Sequence, residues 1–207
     1  MATTAPPRRT QAQRRAASRI RLLDAALECL AERGYAGTTF PEIVRRAGLS
    51  NGAVWRHFRS KEELLVAAAL HSEGVVSALP APVGLGRLTP EEKLDAAVDY
   101  FWRNYVSSPA FQALIELLRA SRSDPDLAAM LSSVDQRAAE LVFATFARLV
   151  GPELAAEPNF RRNVRLVGLT LYGVGLTAHL RSGGDEPRLA AEVKQMLRAL
   201  FGLPAPA

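Results

Sequence analysis

Apolar positions recur at threes and fours along most of the chain. Between Ala12 and Arg33, Ile20, Leu23, Leu27 and Leu30 share one face while Arg19, Asp24, Glu28 and Glu32 take others, which predicts an amphipathic helix. Gly34 supplies its stop. A second helix is expected from Thr39 to about Ala47, with Glu42 placed to complete a T-x-x-E capping box and Pro41 harmless in the first turn. Ser50 caps a short third helix running to about Phe58. Ser60 and Glu63 form another capping box, opening a fourth helix through LLVAAALHSEGVVSAL. Residues 79–90, LPAPVGLGRLTP, are rich in helix breakers and mark the best linker. Beyond them, helices are predicted from Thr89 to about Val106, Pro109 to Arg122, Pro125 to Val150, Pro158 to Arg181 and Pro187 to Phe201. No segment alternates with period two for long enough to make a strand. The pattern therefore predicts an all-α protein of about nine helices with no internal repeat.

Composition adds one asymmetry. The 207 residues are 48% hydrophobic and 23% charged, ordinary for a globular chain, with a formal net charge of +5. That charge is local: residues 1–60 hold eleven arginines against four acids, whereas the remainder holds fifteen basic residues against seventeen acids. A cationic block on a near-neutral body points to a polyanion, either nucleic acid or an anionic membrane surface. Residues 1–11, with paired prolines and Arg8 and Arg9, read as a flexible basic arm. Arg8, Arg9, Arg14 and Arg15 are placed to follow a minor groove or to form a solvated tail. The single cysteine, Cys29, excludes an internal disulfide and reads as a small core residue. The N-terminus lacks a signal peptide's apolar run, and the most apolar stretch, Val164 to Leu180, is too short to span a bilayer. A cytoplasmic protein with no membrane partner is expected. His57, His71 and His179 stand at no metal-ligand spacing, and no nucleophile or phosphate-loop motif appears, so neither an enzyme nor a cofactor is expected.

The third helix carries the informative chemistry. At 100° per residue, Val54 and Phe58 fall together and point inward, while Gly52, Ala53 and Arg56 point out. A glycine inside a helix costs about 1 kcal/mol relative to alanine. A small, then basic, outer face suits a helix lying close to the floor of a groove walled by phosphates. With the preceding helix and the Ala47-Gly48-Leu49-Ser50 turn, it forms a helix-turn-helix. Lys61 sits in the first turn of the fourth helix, where a cation opposes the helix dipole unless an anion docks there or Glu62 or Glu63 pairs with it.

Gly34 through Leu64, reading T-T-x-x-E-I-x-x-x-A-G-L-S-x-G-x-V-W-x-H-F-x-S-K-E-E-L from Thr38, resembles the N-terminal domain of the TetR family of bacterial transcription regulators. The resemblance covers about residues 14–72 and implies a DNA-binding unit at residues 12–72, reading helix 51–58, and a helical ligand-binding and dimerisation domain at residues 73–207. It implies that Thr39, Trp55, His57 and Lys61 contact DNA phosphates and that Asn51, Gly52, Ala53 and Arg56 approach base edges. Trp55 stands where the family more often has Tyr, leaving an indole N–H as donor. The implied partners are a palindromic double-stranded operator, a second copy of the chain and a small-molecule effector whose binding shifts the fourth helix. A nonspecific nucleic-acid or anionic-membrane binder is the alternative.

In the C-terminal part, aromatic residues cluster, and such a set can line an apolar cavity or simply fill a core. Trp102, Tyr105, Phe111 and Phe143, with polar Glu116 and His179, are the candidate pocket for an apolar or aromatic effector. The stretch VRLVGLTLYGVGLTAHL and the last helix together suggest an intermolecular four-helix bundle, with Gly168, Tyr172, Gly175, Val193 and Leu197 as candidate dimer contacts.

Overall fold

The computed structural model describes residues 10–177 and 186–204, save the side chains of residues 73, 76, 134, 135, 138 and 186. These residues are helical, with no strand among them. Thr10 caps α1 (Gln11–Gly37) through a reciprocal capping box with Gln13. Gly34 does not end α1 as expected; at φ 66° it bends the helix, which takes one further turn to Gly37. There follow α2 (Phe40–Arg46), α3 (Asn51–Val54) and α4 (Lys61–Ala78). After a 3₁₀ turn at Leu85–Arg87, α5 (Pro90–Phe101) starts on the Thr89–Glu92 capping box and runs into a π-turn at Trp102–Val106. Then come α6 (Pro109–Ala120), α7 (Pro125–Val150), the one-turn α8 (Pro152–Ala155), α9 (Phe160–Thr177) and α10 (Glu186–Leu200). The nine expected helices are all present. The addition is α8, nucleated where Gly151 turns at φ 85° and Pro152 pre-sets the first helical residue.

Two hydrophobic cores are joined by two helices. The first gathers Leu22, Leu23, Ala26 and Leu30 of α1 with Ile43, Val54, Phe58, Leu64 and Leu65. The second gathers Leu94, Phe101 and Trp102 with Phe146, Leu149, Phe160, Val164, Val193 and Leu197. Ala113 and Leu117 of α6 enter the first core while Phe111, Leu114 and Ile115 enter the second. Likewise Leu127 and Leu131 of α7 enter the first, and Phe146, Leu149 and Val150 the second. Both helices carry apolar side chains into each core, α6 from opposite faces along its length and α7 from its two ends, so a disturbance in one core reaches the other through rigid rods. The bidentate Arg198–Asp95 pair at 2.7 and 3.0 Å ties α10 to α5.

Candidate functional site

The helix-turn-helix is set by one glycine and two buried side chains. Gly48 takes φ 61°, ending α2 in the left-handed turn that an L side chain rarely adopts. Leu49 N–H then donates to Val44 O at 3.1 Å, turning the chain toward α3. Val54 and Phe58 are 1% and 2% exposed, so α3 is pinned by the two contacts its spacing predicts. The helix is shorter than expected. Regular α geometry ends at Val54, and His57 and Phe58 both donate to Val54 O at 2.9 Å, tightening residues 55–57 into turns. Ser50 holds the N-cap position without a side-chain bond, and Thr39 does the same for α2. The expected Thr39–Glu42 capping box does not form because Glu42 is taken by Arg33 and Arg45 at 3.1 and 2.7 Å. Thr39 is left exposed.

Asn51, Gly52 and Arg56 are exposed and Ala53 half-buried on the outer flank of α3. Apart from its own helix, no heavy atom of the described residues lies within 4 Å of where a Cβ on Gly52 would stand. Nothing inside the protein therefore requires glycine there. Trp55 is 61% exposed and rests edge-on against Phe40, with ring centroids 4.7 Å apart. The half-buried His57 faces Arg15, Arg19 and Arg56; burial first, then these cations, push its pKa below the usual imidazole value.

Charge divides the two flanks of this unit. Beside α2, Arg33, Arg45 and Arg46 are neutralised by Glu28, Glu32 and Glu42 at 2.5 to 4.0 Å. The Arg45 and Arg46 guanidiniums hold Glu42 and Glu32, respectively, below the ordinary carboxylate range. Beside α3, Arg14, Arg15, Arg19, Arg21, Arg56 and Arg59 form no ion pair among the described residues. Arg15 reaches Arg56 O at 3.5 Å, Arg21 reaches Gly48 O at 3.4 Å, and Arg19 lies over the Phe58 ring at 5.2 Å.

Lys61 has a partner that the sequence does not reveal. Its Nζ donates to Tyr35 O at 3.1 Å and sits 3.9 Å from the Tyr35 ring centroid, pairing with neither Glu62 nor Glu63. The Tyr35 hydroxyl stands 3.0 Å from both Glu62 Oε1 and Asp124 Oδ2. Burial, with those two carboxylates next, pushes the phenol pKa well up.

In the second core, Val98, Phe101 and Trp102 face Val142, Phe146, Val164, Val167, Gly168 and Val193 across an apolar cavity of about 50 Å³. Trp102 is the one candidate pocket residue on its wall. Tyr105 and Phe111 lie to one side, edge-to-face at 5.3 Å, with Tyr172 stacked on Phe111 at 6.1 Å. Phe143 lies under Arg161, 4.3 Å from its ring, and Arg161 also pairs with Glu140. Glu116 is turned away, bonded to Arg119 at 3.0 Å and close to Gly34. His179 lies outside the described residues. Sequence reasoning missed Val98, Val142, Val164 and Val167 because aliphatic residues at helical spacing carry no mark distinguishing cavity wall from packed core.

Of the candidate dimer residues, Val193, Leu197 and Gly175 are buried and Gly168 and Tyr172 half-buried within their own chain. Val193 and Leu197 are 4% and 0% exposed inside their own chain. A Cβ on Gly175 would meet Phe111 at 2.5 Å, so that glycine serves the close approach of α9 to α6. Gly168 lines the cavity and Tyr172 stacks within the core. Leu166 and Leu169 stand exposed beside Arg165 and Thr170, so apolar residues lie on both sides of the stretch and hide its inner face from periodicity. The outer face is instead Leu166, Leu169 and Leu176, 41%, 56% and 46% exposed, with Gly173 between them.

An all-helical chain with a Gly-turned helix pair and a bare third-helix flank falls in the helix-turn-helix class of regulators. Residues 22–68 match the profile of bacterial regulatory proteins of the tetR family. An HTH-type transcriptional repressor of Mycobacterium tuberculosis is 34% identical over 179 residues, covering 85% of this chain and 89% of its own. The HTH-type transcriptional regulator BetI of Escherichia coli is 31% identical over 160 residues, covering 74% and 80%. Among solved structures, a TetR-family regulator from Rhodococcus sp. superposes with a TM-score of 0.67 at 17% identity, covering 91% of this chain and 98% of that one. The fatty acid degradation regulator FadR of Bacillus halodurans superposes with a TM-score of 0.64 at 21% identity, covering 86% and 96%. The chain belongs to the TetR family of transcriptional regulators. Among the described residues, no helix is long and apolar enough to cross a membrane.

Proposed function

We propose that this protein is a repressor that binds a palindromic DNA operator as a homodimer and is released by a small apolar effector. The observation that carries the reading is Gly52. It sits in a helix-turn-helix locked from inside by Val54 and Phe58, yet its outer face meets no other element among the described residues. A bare backbone flank between Asn51 and Arg56, with exposed Trp55 and Thr39 beside it, suits entry into a major groove with donors reaching the flanking phosphates. The exposed leucine stripe of α9 supplies the self-complementary face a two-fold dimer needs. Two reading helices would then sit one helical turn of DNA apart, about 34 Å, or a multiple of it.

The apolar lining of the cavity favours an apolar effector. At about 50 Å³ it is far below the roughly 300–1,000 Å³ of small-molecule sites. An effector must therefore part its walls, and one wall is α7, whose other end packs in the DNA-binding core. Coupling of this kind is reciprocal: operator DNA weakens effector binding by the factor by which effector weakens operator binding.

Selection of bound fragments from random duplexes tests the reading. Recovery of a two-fold symmetric sequence with fixed half-site spacing is the expected result. Fragments with no shared sequence would leave a nonspecific polyanion binder and overturn it.

A further inference from the structure

We propose that the seam between α5 and α10 is the entrance to the apolar cavity, and that Lys194 at this seam selects an amphipathic carboxylate, an unbranched apolar tail with one anionic head. The inference rests on the effector reading above and names the ligand class of that site. The lining of the cavity carries no charged side chain, and the Trp102 indole N–H is its one polar side-chain group. A ligand's charged group placed there would lose its water without gaining a partner. The polar end of an effector therefore stays at the rim, and a charged residue of the rim decides which head is accepted.

Val98 of α5 and Val193 of α10 line the cavity, and the residue after each, Asp99 and Lys194, forms an ion pair at 2.6 Å. The pair bridges the two helices at the level of the cavity. One turn along, Arg198 holds Asp95 through two bonds and reaches Pro204 O, so that end of the seam is fixed. Lys194 and Asp99 are both partly exposed. An ammonium on a flexible stem passes from one carboxylate to another at little cost, because an exposed pair contributes little. The other seams close through packing. Phe101 stacks on Phe146 between α5 and α7 at 5.6 Å, and Phe146 meets Phe160 between α7 and α9 at 6.3 Å. Arg161, at that second seam, is held by both Glu140 and the Phe143 ring. Between α9 and α10, the buried Asn163 donates to Leu200 O at 2.9 Å. Parting these seams gives up buried contact, whereas parting α5 from α10 at Lys194 begins with the exchange of one carboxylate for another. Moreover α10 is lightly seated, with Val193 and Leu197 its two fully buried side chains among the described residues. The ligand head takes the ammonium from Asp99, Asp99 turns to water, and the tail follows between Val98 and Val193. A cationic head meets repulsion at the same place.

The test titrates decanoate, decan-1-ol and decyltrimethylammonium, each below its micellar concentration, into the full-length protein carrying Trp55→Phe. The remaining tryptophan is then Trp102, whose emission reports on the cavity wall. Decanoate should bind more tightly than the ammonium compound. Lys194→Gln should weaken decanoate by about two- to fivefold, the effect of one partly exposed ion pair, and leave decan-1-ol unchanged. Asp99→Asn, which removes the competing carboxylate, should strengthen decanoate by a similar factor. Gly168 lines the cavity, and a Cβ added there meets no atom within 4 Å outside its own helix, so Gly168→Val fills the space with the fold intact. It should abolish binding of decanoate and decan-1-ol alike, with Gly168→Ala acting in the same direction to a smaller extent. Thermal melts of each variant report its folding. Equal weakening of both probes by Lys194→Gln, equal affinity for the ammonium compound, or undiminished binding to Gly168→Val each overturns the proposal. Absence of decanoate binding, with sequence-selective DNA binding intact, overturns this site and leaves the repressor reading standing. Decanoate bound as expected, with affinity for the selected operator unchanged, keeps the site and refutes the effector reading instead.

Discussion

Replacing Gly52 by Ala sets folding and DNA binding against each other. The added methyl group meets no heavy atom within 4 Å, and Gly52 is not among the glycines with positive φ. Folding therefore bears no steric or backbone penalty, and the helix propensity gain reaches at most about 1 kcal/mol. For a chain of this size that gain raises the melting temperature by about 2–4 °C at most. On the operator the sign reverses. If the flank lies on the groove floor, the methyl group occupies space that a base edge takes. Overpacking of a close-fitting contact costs about 1–3 kcal/mol, or roughly 5- to 150-fold in affinity for each half-site. Fluorescence anisotropy on the selected operator and on an unrelated duplex, paired with thermal melts of the same preparations, measures both. The expected result is a protein equally or more stable, weakened on the operator and barely changed on the unrelated duplex. A variant at least as stable with undiminished operator affinity would refute the placement of this flank in the groove.

Other substitutions separate the parts. A bound phosphate favours protonated His57, whose free-state pKa lies below the ordinary value of 6.5. Operator affinity should thus strengthen as pH falls through 6.5, and His57→Gln should flatten that profile. In the free protein the sign is opposite: the unfolded chain takes the proton first, so denaturant stability declines below pH 6.5, and His57→Gln removes that part of the decline. Leu169→Glu, on the exposed stripe of α9, should give a folded monomer by sedimentation. Val193→Glu buries a charge in the second core and should instead unfold the chain. Phe58→Ala should cost about 3–5 kcal/mol by urea denaturation, since the ring is fully packed beneath α3. Tyr35→Phe, which strips two carboxylates of their shared donor, should lower stability by about 1–3 kcal/mol and shrink the mutual effect of effector and operator.

What the sequence revealed follows the length of its signals. The longer helices were legible because each repeats its apolar residues over several turns, and the short α3 because Val54 and Phe58, four residues apart, mark its inner face. Other short features were not: α8 spans four residues with no such apolar pair, and whether Glu42 serves Thr39 or an arginine depends on Arg45 and on Arg33, nine residues away. Ile20 fits the apolar repeat of α1 yet is 46% exposed. The face of α9 could not be read because apolar residues stand on its exposed side, beside Arg165 and Thr170, as well as on its buried side. The cavity was illegible for a different reason, since it forms where four helices fail to close completely and no single helix encodes that gap.

One helix, α7, runs from the wall of that cavity to the DNA-binding core, with Asp124 capping its head. Val142 and Phe146 of α7 line the cavity. Some twenty residues earlier Asp124 caps the same helix, Oδ1 accepting from Leu127 N–H at 3.0 Å while Oδ2 faces the Tyr35 hydroxyl. That hydroxyl has one proton and two carboxylates at equal distance, so only one of Glu62 and Asp124 receives it at a time. The cluster thus has two arrangements of similar geometry, and a small displacement of α7 decides between them. Lys61 rests on the same tyrosine, through its ring and its carbonyl oxygen, at the start of α4. On the proposed reading, an effector that parts the cavity walls would move Asp124 against Tyr35 and so alter the footing of Lys61, a residue that the family resemblance assigns to an operator phosphate.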